Sequence, residues 1–104
     1  MAESHLSYVL SEEADKDLED IFDYTADKFG VSQAIEYVSS FDEVFIHLSI
    51  NPKLGRERNE IKRGLRSPVK DSHVIFYRVM QNHIRIVRVL HASRDVVKFI
   101  PPSD

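Results

Sequence analysis

The side chains able to do chemistry in this chain are few, and most lie in its second half. Glu57 and Glu60 fall in a charged loop, Arg66 sits in a strand-like run, and His91 closes the last such run. A carboxylate base, a guanidinium and an imidazole acid are the groups that proton-transfer cleavage of a phosphodiester requires. Arg94 and Lys98 follow in and after the block Arg88-Val89-Leu90-His91-Ala92-Ser93-Arg94-Asp95. They add cationic and hydrogen-bonding groups that could hold an anionic target without transferring a proton. Each candidate also has a purely structural reading. Arg66 fits a strand arginine paired to an acidic neighbour, His91 a strand-end histidine bonded to backbone, and His73 a plain surface or strand-start residue.

Other chemistries lack their residues. The chain has no cysteine, which removes thiolate and disulfide chemistry and suits a reducing compartment. No serine sits in a recognisable nucleophile elbow, and no glycine-rich phosphate loop is present. His5, His47 and His83 show no metal-ligand spacing, so neither metal nor cofactor is expected.

The elements that must position these residues follow from periodicity and capping. Leu6 to Leu10 alternates weakly and reads as a first strand. Ser11 is placed to cap a helix whose first turn holds Glu12, Glu13 and Asp15, suited to the positive end of the helix dipole. Ala14, Leu18, Ile21, Phe22, Thr25 and Phe29 recur at helical spacing, and Gly30 can stop the helix. Ser32 is placed to cap a second helix with the stripe Ala34, Tyr37, Val38, Phe41, Phe45 and Leu48. It must end before Pro52, because a residue preceding proline avoids the helical region. So short a link makes the two helices, about 12–29 and 32–50, antiparallel neighbours. Residues 51–64 form a loop. Strands are expected at about 65–70, 72–80 and 83–91, the last two joined by a tight turn at Gln81-Asn82. The order is βααβββ, an α+β fold with the helical hairpin laid on a small antiparallel sheet. Residues 1–104 read as one domain, with Phe22 and Phe41 as core contacts between helix and sheet.

Charge divides the chain. Residues 1–52 hold twelve acidic residues and two lysines, a balance of −10, and residues 53–104 a balance of +7. Such asymmetry suits two faces with different partners. The net −3 disfavours direct nucleic-acid binding. No apolar run is long enough to span a membrane, and the first residues lack the pattern of a signal peptide, so the cytoplasm is the expected location. Tyr24, Phe29 and Tyr37 flank the helical hairpin turn and could line a groove for a partner's amphipathic helix.

Several stretches in order resemble the ParE branch of the RelE/ParE toxin superfamily. They are Ala14-Asp15-Lys16-Asp17-Leu18-Glu19-Asp20-Ile21, Tyr24-Thr25 and Phe29-Gly30, then Asn51-Pro52-Lys53-Leu54-Gly55-Arg56 and Gly64-Leu65-Arg66-Ser67. His73-Val74-Ile75-Phe76-Tyr77-Arg78 and Arg88-Val89-Leu90-His91 complete the set. The resemblance implies a βααβββ fold and the toxin of a type II toxin–antitoxin pair. It further implies a cognate ParD-like, ribbon-helix-helix antitoxin, and growth inhibition by trapping DNA gyrase on cleaved DNA. Under that reading Arg66, His91, Arg94 and Lys98 contact the target, Tyr24, Phe29 and Tyr37 meet the antitoxin, and no enzyme chemistry is needed. The superfamily's RelE branch instead cleaves mRNA on the ribosome, and there Glu57 or Glu60 would be base, Arg66 cation and His91 acid. The tyrosine that often closes that branch's site is missing, since Ala92-Ser93-Arg94 follows His91. A third possibility is a degenerate toxin that serves only as an antitoxin-binding co-repressor.

Overall fold

The computed structural model describes residues 7–101. Leu6, His5 and the end of the Pro101-Pro102 tail lie outside that range. The chain opens with strand β1 (Ser7–Leu10), followed by helices α1 (Glu12–Phe29) and α2 (Val31–Ile50). Short strands β2 (Arg56–Glu57), β3 (Leu65–Ser67) and β4 (Val69–Lys70) lead to the long hairpin β5 (His73–Val79) and β6 (His83–His91). A single turn, α3 (Val96–Phe99), comes last. The expected helical hairpin and three-strand run are therefore present. The short β2 and α3 are additions, and Pro68 divides the expected 65–70 strand into β3 and β4.

Capping explains the helix bounds. The Ser11 Oγ accepts from the Ala14 N–H at 2.9 Å, satisfying a donor at the start of α1. Ala14 is buried and the half-buried Leu18 and Ile21 pack against the core, whereas Phe22, also half-buried, lies outside it. Ile21 thus takes the place expected for Phe22, one residue round the same stripe. Gly30 serves both helices at once. Its N–H donates to the Ala26 carbonyl at 2.9 Å, and its own carbonyl accepts from the Ala34 N–H at 3.1 Å. Its φ of 96° is open to glycine and strained for other residues. The second helix consequently begins at Val31 with no side-chain cap, and Ser32, expected as the cap, lies inside its first turn.

The sheet runs β1-β6-β5-β3-β2, with β4 paired to β5. It is mixed rather than wholly antiparallel, because β1 lies parallel to β6, with Ser7 opposite His83 and Leu10 opposite Ile86. Only hairpin-linked neighbours must be antiparallel, and β1 leaves directly into α1. A bulge at Val87 shifts the β5–β6 register, so that Phe76 faces Arg88 and Tyr77 faces Ile86.

Both sheet faces are covered. Ala14, Phe41, Phe45 and Leu48 pack from the helices onto Ile75, Tyr77, Ile84, Ile86 and Val89. On the opposite face Ile61, Leu65, Phe76, Leu90 and Ile100 form a second cluster, closed by Val96 and Phe99. Burial on both sides accounts for the unbroken apolar run Val74-Ile75-Phe76-Tyr77. The loop after α2 is tied to the sheet by Tyr77, whose hydroxyl donates to the Pro52 carbonyl at 2.7 Å and accepts from the Gly55 N–H at 2.9 Å.

Phe41→Ala should cost about 3–5 kcal/mol in urea unfolding, because the ring is wholly buried. Phe22→Ala should cost clearly less; equal losses would contradict the core assignment. Gly55→Ala should also destabilise, by about 1–3 kcal/mol, since a Cβ there would lie 2.7 Å from the Tyr77 ring.

Candidate functional site

A groove of about 770 Å³ opens between the C-terminal half of α1, Tyr37 of α2, the far end of β5–β6 and the segment leading to α3. The α1 acidic run and the β6 basic run meet at one side of it. Arg88 Nε and Nη2 donate to the two carboxylate oxygens of Asp17 at 2.9 and 2.8 Å, and the Val89 N–H donates to Asp17 Oδ2 at 2.9 Å. A bidentate pair with an extra backbone donor is strong and directional. Asp17 raises the Arg88 pKa, so that guanidinium stays charged and committed. Ser11 adds a second clasp, donating from its Oγ to the Val87 carbonyl at 2.8 Å.

The opposite side is built by the hairpin register. His73 lies across from His91, with ring centroids 5.5 Å apart in an edge-on arrangement. Tyr37 Oη and His73 Nδ1 are 3.0 Å apart, and the His73 ring meets Phe41 edge-on. The Ser93 N–H donates to His91 Nδ1 at 3.1 Å and Ser93 Oγ stands 2.8 Å from it. With Nδ1 accepting, the neutral His91 ring carries its proton on Nε2. Burial, then the nearby His91 and Lys70, hold His73 below the ordinary 6.5, against a smaller opposing pull from Asp71. Burial likewise raises Tyr37. Phe99 closes the groove between two guanidinium groups, Arg88 at 5.2 Å and Arg94 at 5.4 Å from its centroid.

The sequence-derived candidates divide between two places. Tyr24, Phe29, Tyr37, His91 and Arg94 all line this one groove. Tyr24 is 63% and Phe29 70% exposed, so these rings are offered to solvent rather than spent on the core. Lys98 lies on α3 beyond the lining residues. Arg66 is elsewhere. Its Nη1 donates to the Gly55 carbonyl at 2.7 Å, its Nη2 stands 3.6 Å from Glu57, and it borders a separate hollow with Lys53 and Val79. Because Arg66 pairs with Tyr77 and His91 with His73, they are separated by four residues along β5, about 13 Å at the usual strand rise. Glu60 is held below the usual carboxylate range by the Arg58 hydrogen bond at 2.8 Å. Glu57, Glu60, Arg66 and His91 are therefore not assembled at one point. Among the described residues no group of three or more His, Asp or Glu could hold a metal ion.

Two participants escaped the sequence reading. His73 is a strand-start residue as expected, but half-buried among rings rather than plain surface. The near-symmetry of the hairpin about Gln81-Asn82 was the signal that places it opposite His91. Arg88 carried no signal that singled out Asp17 among the carboxylates of α1.

A model of the ParE toxin of type II toxin–antitoxin systems, parDE, matches residues 8–96. The chain belongs to the ParE toxin family. Toxin ParE1 of Mycobacterium tuberculosis is 41% identical over 90 residues, covering 86% of this chain and 92% of the relative. Toxin ParE1 of Caulobacter vibrioides is 36% identical over 86 residues, covering 83% and 88%. A solved structure described as a chromosomal ParDE TA system from P. aeruginosa superposes with a TM-score of 0.73 at 22% identity, over 84% of this chain and 96% of that one. That likeness establishes the α+β RelE/ParE-like fold. No described helix of this toxin is long and apolar enough to cross a membrane.

Asp17→Ala should destabilise this ParE-family toxin by about 2–4 kcal/mol, since it strands the largely buried Arg88 and the Val89 N–H. His73 sets a pH dependence. Its folded pKa lies below its unfolded one, so its full contribution is present above about pH 6.5 and is lost as pH falls toward the folded value. Between pH 7.5 and 5.5 the wild type should lose more melting temperature than His73→Gln. Equal losses would remove His73 as the cause.

Proposed function

We propose that this toxin inhibits DNA gyrase in the cytoplasm by holding a protein–DNA intermediate, without bond chemistry of its own, and that a ParD-like antitoxin neutralises it by filling the groove. The observation that carries this reading is the overlap of two sets of residues. His91 and Arg94, the candidates for target contact, share one groove with Tyr24, Phe29 and Tyr37, the candidates for antitoxin contact. A segment lying on the exposed aromatics would cover the cationic end as well, so occupancy and neutralisation become one event. The aromatic lining suits the apolar face of an amphipathic helix. The outer edge of β1, which ends the sheet, offers a further place for strand addition.

The reading without catalysis is favoured over a ribosome-dependent RNase by the distance between the proton-transfer candidates. A base must reach the proton it removes within hydrogen-bond range or through one water. Arg66 and Glu57 are engaged with each other and with the Gly55 loop, well away from His91.

Purified toxin should stimulate gyrase-mediated DNA cleavage and leave mRNA on translating ribosomes intact; the reverse pattern would overturn the proposal. In growth-inhibition assays, Arg94→Ala and Lys98→Ala should each weaken toxicity severalfold, while Glu57→Ala and Glu60→Ala should retain it. An RNase would instead lose about 10²–10⁴-fold on removal of one proton-transfer group. A folded Glu57 or Glu60 variant without toxicity would therefore reverse the assignment.

A further inference from the structure

The groove is electrically uneven in a way that selects its occupant. Of the two guanidinium groups that flank Phe99, Arg88 is spent on both oxygens of Asp17. Arg94 is not. Among the described residues no carboxylate pairs with it, and its side chain contacts the face of Phe99 while its backbone bonds to the His91 carbonyl. In the same lining stand two hydrogen-bonded pairs, His91 with Ser93 and His73 with Tyr37, each of which spends one proton internally and keeps another, on His91 the Nε2 proton, to donate to an oxygen anion. That end of the groove is a pole for one negative charge. Tyr24 and Phe29 give the same groove exposed aromatic surface. The α1 wall adds Asp20 to the lining, and Asp27 follows Tyr24 on the same helical face. Helix α1 carries eight carboxylates against two lysines, so a nucleic-acid backbone laid along it would be repelled throughout its length.

A ligand that fits must be apolar where it meets the aromatic rings, negative where it meets Arg94 and positive or neutral where it meets α1. We propose that the groove receives an amphipathic peptide segment of the antitoxin that seats an Asp or Glu carboxylate on Arg94 and His91, with its basic edge toward Asp20. The inference rests on the antitoxin reading above and adds to it a fixed direction and a specified anchor. A carboxylate at this pole gains a fork of guanidinium donors already placed over the Phe99 ring. Reversing the segment would set its acid against Asp20 and its bases against Arg94, so the charges fix its orientation as well as its affinity.

The test uses the purified full-length toxin and the antitoxin encoded beside it, with dissociation constants measured at 150 mM salt. Arg94→Gln should weaken binding about tenfold and Arg94→Glu about a hundredfold. Arg85→Glu makes the same charge change on an exposed strand position outside the groove and should stay within about twofold. Each acidic residue of the antitoxin's toxin-binding segment is then changed to Lys, and one such change should restore affinity to Arg94→Glu while weakening the wild-type complex. If wild-type toxin binds the antitoxin and Arg94→Glu binds equally well, or no acidic residue couples to Arg94, the carboxylate anchor is wrong while the antitoxin reading stands. If the wild-type toxin forms no complex, the antitoxin reading fails and takes the anchor with it. Binding of a 20-base-pair duplex that Arg94→Glu abolishes, with antitoxin affinity unchanged, would reassign the pole to phosphate and overturn the proposal.

Discussion

One carboxylate joins the two halves of this molecule. The first half of the chain is strongly acidic and the second strongly basic, and beside their shared apolar core an ion pair ties them where Asp17 takes two N–H groups from Arg88 and one from the backbone of Val89. A buried charge is tolerable only when its hydrogen-bonding capacity is met. Asp17 meets that condition with its three N–H donors, and beside it the bulge leaves Val87 out of the β5–β6 pairing, with its carbonyl accepting from Ser11. A sequence irregularity in the central strand, a helix cap and a salt bridge thus form one clasp. The groove lies directly against it, with Asp17, Arg88 and Val89 in its lining.

The same clasp divides the labour between two arginines. With Arg88 neutralised, the groove keeps one uncommitted guanidinium in Arg94, and Phe99 holds both side chains in place. Ile100, buried in the second cluster, pins Phe99 from behind. Changes in the packing of the outer face therefore reach the groove through Leu90 and Phe99, which belong to that cluster and also line the groove.

What could be read from the sequence was whatever depends on near neighbours. Ser11, the acidic first turn and Gly30 fix α1, and Pro52 ends α2, because capping and proline sterics act within a few residues. Strands β5 and β6 follow from their apolar runs and the turn between them. The remainder depends on contacts distant in the chain. The parallel partner of β1, the choice of Ile21 over Phe22 for the core, the second apolar cluster and the selection of Asp17 from the acidic residues of α1 leave no local trace. In the groove, the aromatics near the hairpin turn were legible as candidates for a partner's helix, but their helical spacing read equally as core, and only the fold leaves Tyr24 and Phe29 exposed. The segregation of Arg66 from His91 was not, since it depends on strand order, which the sequence leaves open.

Strand order also governs when the protein can exist during its own synthesis. The innermost partner of both β1 and β5 is β6, and the Ser11–Val87 clasp spans 76 residues. A ribosome making this chain releases the helical hairpin early, as a unit whose contacts are local. The sheet, the clasp and the cationic wall of the groove can close only after the final strand and Phe99 have left the exit tunnel. Until then the nascent chain has no closed groove, so neither a target nor an antitoxin meets that surface before the last strand is made.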